Sequence, residues 1–396
     1  MRTLRAWTTT AALTLFVFLV ISPLAAQNRG QGQGQAQEYL VYLGTYTRPA
    51  ASKGIYAYRF QPATGKLTPI GLAGETQNPS FLVPHPNGRF LYAANEREEG
   101  DGQGTNNSVS AFAIDQRTGK LTFLNKVSAR GGMPCHVTID KTGKYLLVAN
   151  YGTGSVATFP IQQDGRLGQA AGFVQHTGSS VDPNRQKGPH AHFISPSPDN
   201  RFALTADLGL DQVIEYRFDA SKGTLSDGPA AAKLRPGSGP RHLAFHPTAK
   251  YVYVNGEMSS TLSTFSYDAQ TGAMKELQTV STLPSGFSGT SSTAEVQVDR
   301  TGRFVYVSNR GHDSIAIFAI DPAKGTVTPT GHASTNGKTP RYFTLDPSGN
   351  YLLAANQNSS SVTVFRVDAK TGGLTPTQTT LSDVPDPVCI VFVPVT

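Results

Sequence analysis

One pattern is written over and over along this chain, and it constrains the fold more than any other feature. FLVPHPNGRFLYAAN (81–95), HVTIDKTGKYLLVAN (136–150), FISPSPDNRFALTAD (193–207), LAFHPTAKYVYVNG (243–256), VQVDRTGRFVYVSN (296–309) and FTLDPSGNYLLAAN (343–356) share one design. Each has an apolar run, a turn, and a second apolar run that ends near Asn or Asp. A third run follows (SVSAFAID, SVATFPI, QVIEYRFD, TLSTFSYD, SIAIFAID, SVTVFRVD), then a Gly-containing turn and a fourth (GKLTFL, GRLGQA, GTLSDG, GAMKEL, GTVTPT, GGLTPT). Val, Ile, Phe, Tyr and Thr bounded by Gly, Pro, Asp and Asn read as short strands, four to a unit. A shared turn anchors the units at Pro79, Pro134, Ala191, Pro240, Thr293, Pro340 and Pro387, spaced by 55, 57, 49, 53, 47 and 47 residues. Four-stranded units at this period predict an all-β, seven-bladed β-propeller with antiparallel blades.

The ends of the repeat predict how the ring closes. YLVYLGTYT (39–47), GIYAYRFQ (54–61) and KLTPIG (66–71) supply a second, third and fourth strand, and the first is missing. DPVCIVFVP (386–394) supplies it from the other terminus. A blade shared by both termini makes 39–396 a single domain and leaves no open sheet edge.

Composition fits this reading. Only 15% of residues are charged, and 40 Gly and 26 Pro argue against long helices, while 20 Phe and 15 Tyr can fill a large core. The net charge of +7 is spread without a Lys/Arg block, so no nucleic-acid partner is expected. Residues 1–26 form a basic start, an apolar stretch and a small-residue end at Leu24-Ala25-Ala26, the pattern of a cleaved signal peptide. QNRGQGQGQAQE (27–38) follows as a flexible Gly/Gln-rich tail. The mature chain is therefore expected outside the cytoplasm, secreted or periplasmic, as a monomer with no membrane contact. Cys135 and Cys389 fall on first strands two blades apart, too far to bridge. No Cys/His cluster has metal-ligand spacing, so neither a metal nor another cofactor is expected.

The repeat register also places candidate chemistry. The start of a blade's first strand and the end of its second lie on one face of a propeller. The slot after each anchor holds Ser80, Cys135, His192, Arg241, Ala294, Arg341 and Val388, and the next holds Phe81, His136, Phe193, His242, Glu295, Tyr342 and Cys389. The slot closing the second strand holds Glu96, Tyr151, Leu208, Glu257, Arg310, Gln357 and Thr45. A repeated frame with divergent residues at equivalent slots is how a site is grafted on a repeat. Chemistry concentrates in three consecutive blades, with His190 and His192, then Arg241, His242 and Glu257, then Glu295 and Arg310. Guanidinium forks suit an anionic or carbonyl-bearing small molecule. Glu257 beside Arg241 and Arg310 is expected to stay ionised, and a carboxylate or imidazole there can serve as general base. The competing reading is a salt bridge that plugs the channel. His85 and His246, in turns, read as structural.

PHAHF (189–193) with ADLGLDQV (206–213), GPRHLAFHP (239–247), NGEMSSTLSTF (255–265) and SNRGHDSIAIF (308–318) resemble the lactonase family of seven-bladed propellers. That family includes propeller-type 6-phosphogluconolactonases and fungal carboxymuconate lactonising enzymes. The resemblance covers nearly all of the mature chain. It implies metal-independent opening of a sugar lactone, with His192, Arg241, Glu257 and Arg310 as catalytic residues and His190 as a substitute for His192. His190, His136, His242, Glu295 and Arg341 are the candidate substrate-binding residues, for a lactone or an anionic sugar acid. The alternatives are muconate cycloisomerisation at the same site and a non-catalytic extracellular propeller that binds a ligand or a protein. An exported chain would not meet a cytosolic phosphorylated lactone, which points to a non-phosphorylated substrate or to other chemistry.

Overall fold

The computed structural model describes residues 1–2, 38–47, 52–96, 107–230, 232–382 and 384–395. The leader and tail expected at 1–38 lie outside them, apart from Met1, Arg2 and Glu38. Among the described residues there are seven sheets and, beyond strands and turns, one 3-10 turn at Gln357–Ser359. No helix is long and apolar enough to cross a membrane.

Each sheet is an antiparallel blade built on four strands, and in all but the closing blade these run in chain order from the inside out. The anchor slots open the inner strands Pro79–Pro84, Pro134–Ile139, Ala191–Pro196, Pro240–Phe245, Ser292–Val298, Pro340–Leu345 and Pro387–Pro394. Proline suits these places because a first strand residue need not donate to the ladder. The last of these strands pairs with Tyr39–Thr45, in register from Tyr39 opposite Pro394 to Gly44 opposite Cys389. The ring is therefore sealed by the two ends of the chain, as the missing first strand requires.

Sheets stacked face to face explain the burial. Second strands such as Phe90–Asn95, Phe202–Asp207 and Tyr351–Asn356 are buried at every position, because each lies between two neighbouring blades. Outer strands such as Leu121–Ser128 hold only half-buried and exposed residues, as in a sheet with one wet face. Core residues mesh between adjacent blades, for example Leu147 and Val156 against Ile194, Ala203 and Tyr216. Each large apolar side chain removed from water in this way contributes about 1.5–3 kcal/mol.

A repeated contact spaces the blades. The glycine in the outer hairpin of one blade sits against the first aromatic of its neighbour's second strand. A Cβ on Gly372 (φ 72°) would lie 2.5 Å from the Phe304 ring, and one on Gly325 (φ 71°) 2.3 Å from Tyr251. Tyr253 and Tyr306 add hydroxyl bonds to the carbonyls of Gly325 and Gly372, at 2.9 and 3.0 Å. Left-handed backbone and the absence of a side chain are both needed here.

One blade departs from the expected strand pattern. GRLGQA (165–170) was expected as a fourth strand, but the strand is Gly172–Gln175. Ile161 bridges Leu167 around a tight turn, and a Cβ on Gly168 would press on Pro160 at 2.8 Å. Pairing with Ser155–Pro160 resumes only beyond that turn. The next blade gains a short fifth strand, Ala232–Lys233.

Candidate active site

The backbone at each inner-strand start decides where the chemistry points. Asn78, Met133, Gly239, Thr339 and Asp386, each just before an anchor, are left-handed, with φ of 40°, 49°, 61°, 60° and 43°. A bulge follows in the ladder, between Pro134 and His136 and between Pro240 and Leu243, for example. A bulge re-aims consecutive side chains, so Arg241 and His242 lie side by side, with Nη1 of Arg241 3.2 Å from Nε2 of His242. Glu257 closes the adjacent second strand, where its N–H donates to the carbonyl of Gly239 at 2.7 Å.

Three guanidinium groups converge on the Glu257 carboxylate. Arg241 Nε and Arg310 Nη2 each lie 3.0 Å from Oε2, and Arg185 Nη2 lies 2.8 Å from Oε1. Arg241 Nη1 donates to the carbonyl of Ala294 at 2.5 Å, and Arg310 Nη2 to that of Thr293 at 2.9 Å. Arg241 is thus held by the backbone of a neighbouring blade, and Arg310 by that of its own blade's inner strand, as well as by the acid. Burial works to raise the Glu257 pKa, but Arg310 and Arg241 outweigh it and hold the carboxyl ionised, well below the usual range. Arg241 is pulled down to about 10 by burial and by Arg341 and Arg310.

His136, His192 and His242 are neutral, and the tautomer of His242 is fixed. Arg241 can only donate, so His242 Nε2 accepts, and its Nδ1–H faces Glu295 Oε2 at 2.8 Å. Burial raises Glu295 to about 8 despite the opposing pull of Arg241. Burial, with Arg241 beside them, depresses His192 and His242 well below 6.5 and brings His136 to about 3. His192 Nδ1 stands 3.7 Å from the Cys135 thiol, whose pKa burial raises. That thiol is therefore protonated and not a nucleophile. His190 stacks on Tyr151 with centroids 4.5 Å apart and donates through Nδ1 to the Tyr151 carbonyl at 2.9 Å.

These contacts sort the candidates. His192, Arg241, Glu257 and Arg310 share one mouth of the channel: His192 reaches Tyr151 and His242 at 5.3 Å between ring centroids, and the other three are ion-paired. His190 joins them through Tyr151. His136, His242 and Glu295 lie deeper, His136 between Phe81 and Phe193 at 4.2 and 4.1 Å, and form a packed floor. Arg341 reaches a separate pair, donating to Tyr46 Oη at 2.7 Å and standing 4.0 Å from Glu96, which accepts from Tyr46 at 2.9 Å. His85 and His246 tie turns to the next blade through the carbonyls of Gly143 and Gly302, both at 2.9 Å. Arg185 was absent from the expected site because it lies on a connection outside the repeat. The signal was there, since the Pro134-to-Ala191 interval of 57 residues is the longest of the six. Among the described residues no group of three His, Cys, Asp or Glu side chains is placed to hold a metal.

The fold and the site define a closed propeller that presents a buried, arginine-rich carboxylate centre at one end of its axis. Residues 40–392 match the family described as "Lactonase, 7-bladed beta-propeller", and the chain belongs to that family. A 6-phosphogluconolactonase from Bacillus subtilis is 38% identical over 355 residues, 90% of this chain and 98% of its own. A 6-phosphogluconolactonase from Formosa agariphila is 34% identical, over 78% of this chain and 86% of its own. The solved structure of a periplasmic gluconolactonase from Pseudomonas aeruginosa superposes with a TM-score of 0.85 at 34% identity, covering 91% of this chain and 100% of that one.

Proposed function

We propose that this chain hydrolyses a sugar lactone at the channel mouth, with Arg241, Arg310, Glu257 and His192 as the working residues. The observation that carries the assignment is the convergence of Arg241 and Arg310 on one buried, ionised carboxylate. The lactone carbonyl oxygen is received by the two guanidinium groups, whose positions are preset by Ala294 and Thr293, so little reorganisation accompanies the growth of negative charge. Glu257, with neutral His192 beside it, orients a water against the carbonyl carbon. The water oxygen forms the new C–O bond and the ring C–O bond breaks. The proton shed by the water passes through the carboxylate to the departing ring oxygen, giving the hydroxy acid. A carboxylate held so far below its usual pKa is a weak base and acts mainly by orientation, which suffices for an ester already activated by two cations.

Family membership and the two relatives named for this reaction favour hydrolysis over cycloisomerisation and over a purely binding role. The leader-like residues 1–26, with the periplasmic address of the Pseudomonas neighbour, support export of the mature chain. The test is a panel of sugar lactones with wild type and Glu257→Gln. We expect opening of at least one lactone and a fall in kcat of about 100-fold or more in the variant. Undiminished turnover in Glu257→Gln removes the site assignment, and muconate turnover without lactone turnover replaces the reaction.

A further inference from the structure

The segment from His176 to His190 joins two blades without forming a strand, and it is pinned from below. His176 Nδ1 lies 2.5 Å from Asp207 Oδ2, and its Nε2 receives the Tyr216 hydroxyl at 2.6 Å. Asp207 Oδ1 also accepts the His190 N–H at 2.7 Å. Gln186 is fully buried; it donates to the Leu208 carbonyl at 2.9 Å and accepts from Asp182 N–H at 3.0 Å. Asp182 Oδ1 accepts the N–H groups of Asn184 and Arg185, both at 2.8 Å. The backbone that carries Arg185 is thus fixed, next to a buried glutamine.

The Arg185 side chain itself is different from its partners. It is 44% exposed, whereas Arg241, Glu257 and Arg310 are 4%, 8% and 15% exposed. It reaches over the mouth to Glu257 Oε1 and the Tyr151 hydroxyl, at 2.8 and 3.0 Å. Among the described residues the mouth carries four guanidinium groups, of Arg185, Arg241, Arg310 and Arg341, against the two acids Glu257 and Glu96; Glu295 is bonded to His242 and raised to about 8. This leaves a surplus of positive charge.

We infer that Arg185 is the specificity-determining residue of this site, a rim-mounted arm that exchanges Glu257 for an anionic group carried by the lactone. The inference rests on the lactonase reading. Substrate of that class has its ester carbonyl at Arg241 and Arg310 and its phosphate or carboxylate at the rim, where Arg185 swings to meet it as a paired donor. The exchange frees Glu257 Oε1 to accept a hydrogen bond from the attacking water and removes one of the three cations that depress its basicity. A neutral lactone leaves Arg185 on Glu257. Charge is what this arm reads, so the chemistry is shared by sugar phosphates and by aldaric or uronic acids.

The experiment compares the full chain with Arg185→Ala and Arg185→Lys on three probes: glucono-δ-lactone, its 6-phosphate ester and a glucaric acid monolactone. The reading is the ratio of kcat/KM for each anionic probe to that for the neutral one. We expect the ratio to fall by about 10- to 100-fold in Arg185→Ala for at least one anionic probe, the range of a charge-assisted hydrogen bond. Most of the fall should lie in KM, with Arg185→Lys intermediate. The anionic probe that loses most identifies phosphate or carboxylate as the group received. Unchanged melting in both variants shows that the exposed side chain is not a structural prop. A ratio that stays within about 3-fold of wild type for both anionic probes overturns the inference while the lactonase reading stands. A wild-type chain that opens none of the three lactones overturns both.

Discussion

Glu215 offers a measurement in which the structure dictates both sign and size. It lies on the strand Gln212–Asp219, is 2% exposed, and neither carboxyl oxygen has a hydrogen-bond partner. The blade-spacing glycine Gly272 sits against it, so that a Cβ there would lie 2.9 Å from Oε2. Burial alone lifts its pKa from 4.5 to about 8. At about 1.4 kcal/mol per pH unit, a rise of that size is on the order of 5 kcal/mol between the two protonation states. At pH 4 the group is neutral both folded and unfolded, and it costs nothing through ionisation. Between pH 4.5 and 8 the unfolded chain releases this proton while the folded chain keeps it. The unfolded state then binds fewer protons, and stability falls as pH rises, levelling off above pH 8. Glu215→Gln keeps the shape and an uncharged polar head but has no proton to lose. Urea unfolding of wild type and variant at pH 4, 7 and 9 should therefore show near-equal stability at pH 4 and a variant more stable at pH 9 by about 4–5 kcal/mol. A difference that does not change with pH would refute the reasoning and mean that Glu215 finds a partner or water when ionised.

Arg241→Lys retains the charge but cannot reach Glu257, Ala294 and His242 together, so kcat on a responsive lactone should fall by about 100-fold, and Arg241→Ala by at least as much; wild-type rates in the lysine variant would show that the fork geometry is irrelevant. Gly372→Ala places a Cβ against the Phe304 ring in a left-handed backbone and should destabilise by about 1–3 kcal/mol in chemical denaturation, leaving lactone KM unchanged. Cys135 and Cys389 are free and buried, with burial raising both thiols. Neither should react with an aromatic disulfide reagent until denaturant is added, and prompt labelling of the native protein would contradict their placement.

The blades were legible because the repeat is an alternation of apolar runs and turns, which directly encodes sheets. The shared closing blade was legible for the same reason, since a missing first strand at one end and a spare one at the other fit only a ring. The mouth was partly legible. Glu257 and Arg310 close the second strands of successive blades and Arg241 follows its anchor, so counting residues from Pro240 and Thr293 puts all three on one face. Arg185 belongs to no slot, and its reach depends on where Asp207 and Gln186 fasten a strandless connection. The displaced strand at Gly172–Gln175 escaped for a related reason: the packing of Gly168 on Pro160 delays pairing, and strand-forming composition says nothing of such delay. The depth of His136, His242 and Glu295 follows from the bulges, which shift side chains by one place in a register that otherwise repeats.

The union of Pro387–Pro394 with Tyr39–Thr45 makes the order of synthesis matter. The innermost ribbon of the first-made sheet is synthesised after all the other blades, so a nascent chain can stack its middle blades but cannot yet seal the circle. Until that ribbon is made the first sheet lacks its inner strand, and the pairing that completes it joins residues about 350 apart in the chain. Such a late, long-range join makes assembly slow. It also keeps an unfinished molecule from acquiring a stable disk early.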